Sequence, residues 1–236
     1  INMKEEISRE NFIKHLNEWG YNFTVKKEKI IVSEIGKYGY KNPEGKWIAE
    51  VLYEIPSNVV FERNAGQAYF PGCIKIGENV EFHNQSVTLG IEEIPKGTIF
   101  KCCKPDTIWG YVDLYRVKEI HPSVIFENLG KITFSKLKKI PEGLIFKNDG
   151  EIFFGSDIDV IPSGSIFKNS GDLFINGFSH KLKPGTVFEN GGDVYVSDGW
   201  YGAGILAPEI IFKNKGCVYL ETIKSLPKNT VFENGG

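Results

Sequence analysis

From residue 55 onward, apolar and polar residues of this chain alternate in short runs, and the runs recur. Ile152-Phe153-Phe154, Leu173-Phe174-Ile175 and Val194-Tyr195-Val196 each point two apolar side chains one way and the middle residue the other. Period-two patterning predicts strands with one face in and one face out. No segment after residue 55 carries a 3.6-residue pattern long enough for an ordinary helix.

A Phe marks each copy of the pattern, at Phe61, Phe82, Phe100, Phe126, Phe146, Phe167, Phe188, Phe212 and Phe232, spaced 18 to 26 residues apart. Asn follows two residues later in most copies (Asn84, Asn128, Asn148, Asn169, Asn190, Asn214, Asn234), and Gly two residues after that from Gly130 to Gly236. A fixed period near 20 residues predicts stacked repeats. Asn-x-Gly is expected to supply the positive φ of a tight turn. Pro-x-Gly, as in Pro95–Gly97 and Pro162–Gly164, makes a second corner. The expected fold is mainly β: a single-stranded β-solenoid of about nine coils, a rod on the order of 40 Å long at ~4.8 Å per coil. A leucine-rich-repeat-like solenoid is the alternative, although its Leu-x-x-Leu-x-Leu-x-x-Asn strand is absent.

Stacking turns the Phe residues into an inward ladder, each contributing about 1.5–3 kcal/mol on burial. The Asn amides should bond to the coils above and below and to nearby backbone. Between Phe and Asn stand Glu62, His83, Lys101, Glu127, Lys147, Lys168, Glu189, Lys213 and Glu233, mostly alternating in sign. That row neutralises itself and reads as a solvated structural face.

Residues 1–54 lack the repeat and are expected to form an α+β cap on the solenoid of residues 55–236. Ser8 caps a helix running to about Trp19, with Phe12, Ile13, Leu16 and Trp19 as its apolar stripe, and Gly20 ends it. Tyr21–Val25 and Lys29–Ser33 read as a hairpin, and residues 36–46 as a loop. The chain stops at Gly236 within a copy. The last coil is therefore expected to be covered by further chain, by a second copy in a homo-oligomer, or by a partner.

Composition narrows the function. The chain has 236 residues, 41% hydrophobic and 25% charged, with a formal net charge of −2, which argues against dedicated nucleic-acid or anionic-membrane binding. It has no run of 18 apolar residues and no signal-peptide pattern, so a cytoplasmic location with no membrane partner is expected. The four Cys (73, 102, 103, 217) form no Cys-x-x-Cys, and the four His are scattered, so reduced thiols and no metal or cofactor are expected. Asp157, Asp159, Asp172, Asp193 and Asp198 are the candidate acids. Asp172 and Asp193 share a turn slot with Lys131, Glu151 and Cys217, so that slot is not catalytic by position. Asp157 and Asp159 are expected to bond to backbone at a corner. No catalytic motif is present, and the protein is read as a non-enzyme.

Two features remain for function. The first is an outward aromatic stripe: Tyr69, Phe153, Phe174, Tyr195 and Tyr219, of which the last four lie in successive copies. Such a strip marks either an interaction surface or a self-stacked outer ladder. The second is a pair of insertions, Lys101–Gly110 with Trp109 followed by Tyr111, and Ser197–Gly204 with Trp200 and Tyr201. Aromatic-tipped loops on a rigid scaffold present binding sites well.

The run Leu137-x-x-Ile140-Pro141-x-Gly143-x-x-Phe146-x-Asn148-x-Gly150, repeated from Ile158 to Gly171, resembles repeat proteins inferred from phage and bacterial genomes. These carry long Ile-Pro-x-Gly-x-x-Phe-x-Asn-x-Gly arrays. The resemblance covers residues 55–236 and implies the solenoid and a phage or mobile-element origin. It supplies no catalytic residue. The expected function is non-enzymatic protein binding, for example inhibition of a host defence protein. Phe153, Phe174, Tyr195, Tyr219, Trp109, Tyr111, Trp200 and Tyr201 are the candidate contacts. One alternative is a glycan-binding adhesin or tail-fibre module, with Trp200 and Tyr201 stacking on sugar rings. Another is a polysaccharide-acting β-helix enzyme using clustered carboxylates.

Overall fold

The structure is a computed structural model that describes residues 8–34, 53–62, 67–84, 86–101, 111–128, 130–142, 146–148, 150–155, 157–159, 161–176, 182–197, 206–233 and 235. Trp109, Trp200, Tyr201, Cys102, Cys103 and Asp198, most of both insertions, and the loop expected at 36–46 lie outside the described residues.

Helix α1 (Arg9–Glu18) begins at Ser8, whose hydroxyl accepts from the Asn11 N–H at 3.3 Å. Phe12, Leu16 and Trp19 are buried on its apolar stripe. Gly20 ends it at φ +67, a left-handed conformation that costs glycine little. Strands β1 (Asn22–Lys26) and β2 (Lys29–Glu34) form the expected antiparallel hairpin. The Arg9 guanidinium donates to the Glu28 carbonyl and so ties helix to hairpin. Strand β2 then pairs in parallel with Val59–Phe61, Ile30 beside Val59 and Val32 beside Phe61. The hairpin thus continues the sheet of the first coil and occupies an edge that would otherwise be open.

The repeats stack in parallel, in register, into two long sheets. The first has 11 strands: the hairpin, then every Phe-bearing strand in chain order to Val231–Phe232. The second has 8, from Gln67–Phe70 to Val218–Glu221. A short third side pairs Glu54–Ile55 with Lys75–Ile76, and Glu93–Ile94 with Glu119–Ile120. Together they make a β-solenoid of about seven turns rather than the nine expected. The Phe count exceeds the complete turns: eight copies carry a second strand, and the copy at Phe232 has none among the described residues.

The Phe ladder is continuous. Ring centroids lie 5.2 Å apart at Phe61–Phe82, 5.3 Å at Phe126–Phe146, 6.1 Å at Phe146–Phe167 and 5.2 Å at Phe167–Phe188, and the stack runs on to Phe232. Phe134 and Phe154 reach across from the second sheet and meet it edge-on, at 5.6 Å to Phe126 and to Phe146 respectively. Ile132, Ile152, Leu173 and Val194 fill the rest of the inner face. The self-neutralising row is present as Lys101–Glu127 at 3.2 Å, Lys168–Glu189 at 2.9 Å and Lys213–Glu233 at 3.7 Å.

Two corner expectations are corrected. Positive φ belongs to the Pro-x-Gly corner, three residues before Phe, where Gly97, Gly164 and Gly185 sit at +72, +72 and +76. Asn58, Asn79, Glu209 and Asn229 take the same conformation in other copies. Gly150, Gly192 and Gly216 of the Asn-x-Gly turns are not in that region and serve a steric purpose: a Cβ at Gly150 would collide with the Gly130 backbone, and one at Gly216 with that of Gly192. The amides of Asn169 and Asn190 bond to nearby backbone as expected, but not from coil to coil. Asn169 Nδ2 donates to the Asp172 carbonyl, and Asn190 Nδ2 to the Asp193 carbonyl, both at 3.1 Å, closing their own turns. The Oδ1 atoms of Asn169 and Asn190 are buried without a hydrogen-bond partner, so no amide chain runs between coils there.

Candidate functional site

The outward positions of the second sheet form columns fixed by the parallel register. The middle column reads Tyr69, Thr88, Asp113, Thr133, Phe153, Phe174, Tyr195, Tyr219. Four of the candidate residues therefore stand directly above one another. Phe153 and Phe174 are tilted, with centroids 5.7 Å apart. Phe174–Tyr195 and Tyr195–Tyr219 are face to face at 4.7 and 4.6 Å, with ring planes 3° and 6° apart. These distances match the spacing of paired strands, so each ring lies across the rod axis. Inner ring faces cover one another and ring edges point to solvent. Tyr219, the last of the stack, is 42% exposed, and the other three rings are half-buried.

Tyr69 is separated from this stack by the coils of Thr88, Asp113 and Thr133. Tyr111 stands in the neighbouring outward column beside Lys131. The Lys131 ammonium lies 5.5 Å from the Phe153 centroid and pairs with Glu151 at 3.3 Å. Lys131 closes the open face of Phe153 by a cation–π contact, a role the sequence pattern did not reveal.

The next copies along that column carry Glu151, Asp172, Asp193 and Cys217, each one residue before a paired strand position. Asp172 Oδ1 accepts the Asp193 N–H, and Asp193 Oδ1 accepts the Cys217 N–H, each at 2.8 Å. Each carboxylate thus bonds to the backbone of the following coil. The Tyr195 hydroxyl donates to Asp193 Oδ2 at 3.2 Å. Partial desolvation and the Asp193 charge hold the Tyr195 phenol above the ordinary tyrosine range. A hydrogen bond with the Cys217 side chain and the same carboxylate raise that of Tyr219. Both hydroxyls are neutral near pH 7. Desolvation also raises the half-buried Asp113 carboxyl, opposed by its hydrogen bond with the Tyr115 backbone.

Asp157 pairs with Lys136 at 3.3 Å and Lys138 at 3.8 Å, and among the described residues it has no backbone partner of the kind expected. Cys73 is buried and its thiol donates to the Lys75 carbonyl, whereas Cys217 is exposed. Among the described residues no group of three or more His, Cys, Asp and Glu converges as a metal would require. None of their helices is long and apolar enough to cross a membrane. No protein-family model matches this chain, and no curated protein and no solved structure matches it.

Proposed function

We propose that this protein is a non-enzymatic binding scaffold that engages a protein partner through the outer face of its second sheet. The observation that carries this reading is the stack of Phe153, Phe174, Tyr195 and Tyr219 on a parallel β framework. The other charged row pairs off among itself. The aromatic column instead offers apolar edges and tyrosine hydroxyls, the chemistry enriched at protein interfaces. The stack holds these groups in place before contact, which lowers the ordering cost of binding. Trp109, Trp200 and Tyr201, in the two sequence insertions outside the described residues, are further candidate contacts. The resemblance of the repeat to phage and bacterial arrays supports a cytoplasmic protein of phage or mobile-element origin that occupies a host defence protein. A sugar platform needs open ring faces, and within the stack the faces of Phe174 and Tyr195 are covered by neighbouring rings and the outer face of Phe153 by Lys131.

The test is affinity capture from bacterial lysate with the intact chain and with Phe174→Ser, Tyr195→Ser and Tyr219→Ser combined. The variant's far-UV circular dichroism is the fold control. Loss of the captured partner with an unchanged spectrum is the expected result. Undiminished capture removes this face from consideration.

A further inference from the structure

We infer that the partner presents a basic, extended segment that lies along the Phe153–Tyr219 stack, parallel to the solenoid axis. This inference rests on the contact face proposed above and adds its charge specificity. The outward column beside the stack carries Glu151, Asp172 and Asp193 between Lys131 and Cys217, and on the other side Glu221 follows Asn176 and Ser197. Lys131 pairs with Glu151, and Asp172, Asp193 and Glu221 have no cation partner among the described residues. The contrast with the first sheet is direct. There Lys and Glu alternate from coil to coil and form ion pairs. Here Glu151, Asp172 and Asp193, each one residue before the paired Ile152, Leu173 and Val194, follow one another with one sign.

Geometry fits such a segment. From Phe153 to Tyr219 is three coil steps, about 14 Å, which an extended chain covers with about four or five residues. Alternate side chains of that chain face the sheet. The methylene stems of Arg or Lys pack against ring edges, and their heads reach the carboxylates of the adjacent column. A cation would not seek the ring edges themselves, which carry the positive end of the quadrupole. The carboxylates supply the charge recognition and the rings the apolar floor. A second copy of this protein is a poor occupant, because the same acidic column would face itself.

The test is fluorescence anisotropy with the intact chain and three labelled seven-residue peptides. One alternates arginine and valine, one glutamate and valine, one arginine and serine. The arginine–valine peptide should bind with an affinity that falls as salt rises, and the other two much more weakly. Asp172→Asn with Asp193→Asn should weaken binding on the order of tenfold, the effect of losing two exposed ion pairs. Asparagine keeps an Oδ1 acceptor for the backbone N–H of the next coil, so this variant leaves the turns intact. Equal binding of the arginine–serine peptide would reduce the effect to bulk charge and overturn the proposal. So would unchanged affinity in the asparagine variant, or no arginine–valine binding. If the serine-substituted stack loses its captured partner while the arginine–valine peptide never binds, the contact face stands and its basic specificity falls.

Discussion

Replacing Phe167 by Ala removes a ring from the middle of a stack and tests the solenoid core directly. Phe167 is 2% exposed. It stacks on Phe146 at 6.1 Å and on Phe188 at 5.2 Å, and meets the edge of Phe154 at 5.8 Å. Three ring contacts are lost, and the cavity lies between coils whose strands are held in register on both sides. Little collapse is available, so the cost belongs near the middle of the ~3–5 kcal/mol range for Phe→Ala in cores. Phe232 is the control. It is 41% exposed and has one stacked neighbour, Phe212 at 5.1 Å, so Phe232→Ala should cost about 1 kcal/mol. Urea unfolding followed by far-UV circular dichroism separates the two. With an m-value on the order of 3 kcal/mol/M, a loss of ~4 kcal/mol lowers the midpoint by ~1.3 M, against ~0.3 M at the control site. Each coil contacts only its neighbours, so the central lesion also couples the two halves less tightly and can split the transition. A Phe167→Ala midpoint shift no larger than that of Phe232→Ala would refute a core held by stacked Phe.

Asn169→Leu should cost about 1 kcal/mol in a thermal melt, because it removes one of the two hydrogen bonds that the Asp172 carbonyl accepts, the Ile152 N–H remaining, while also removing an Oδ1 that is itself unpaired. Native alkylation with peptide mapping should label Cys217 and spare Cys73, whose thiol burial pushes up to about 12. That raised value means Cys73 contributes stability that is complete below the ordinary thiol range. It is lost as pH rises from there toward 12, so Cys73→Ala should flatten the alkaline end of the stability profile.

The in-or-out assignment of Ile152–Phe154, Leu173–Ile175 and Val194–Val196 was legible because a period of two fixes it, whereas Val59–Phe61 and Ser86–Leu89 are buried on both faces. Phe146, Phe167 and Phe188 could be placed on one axis before any coordinate was known. Ser8, Gly20 and the hairpin were legible for the same local reason, since cap and turn chemistry act within a few residues. The corners were not. Asn-x-Gly and Pro-x-Gly both contain glycine, and sequence does not tell a glycine kept for positive φ, such as Gly164, from one kept because another backbone passes close, such as Gly150. A hydroxyl in the Pro-x-Gly corner also went unread. Thr98, Ser165, Thr186 and Thr230 each bond back to the carbonyl three residues earlier. The outer site was half legible. Its four aromatics were found, but the orientation of their rings follows from strand spacing, and the placement of Lys131 over Phe153 depends on neighbours in another copy.

The acidic column raises a question that stability alone does not answer. Like charges facing each other across neighbouring strands are destabilising by about 0.2–1 kcal/mol, and Asp172 and Asp193 each stand one residue before the paired Leu173 and Val194. Each offsets that repulsion by bonding to the next coil's N–H, yet asparagine could make the same bond without charge. If the fold alone set these positions, asparagine would serve at least as well. Asp172→Asn with Asp193→Asn should therefore raise the melting temperature by one or two degrees, whereas Asp172→Ala with Asp193→Ala should lower it by losing both bonds, at about 1 kcal/mol each. Charge retained at a cost to the fold is what a recognition surface requires. A drop in melting temperature for the asparagine pair as large as for the alanine pair would show that the charge itself serves the turns, and the column would then need no partner to explain it.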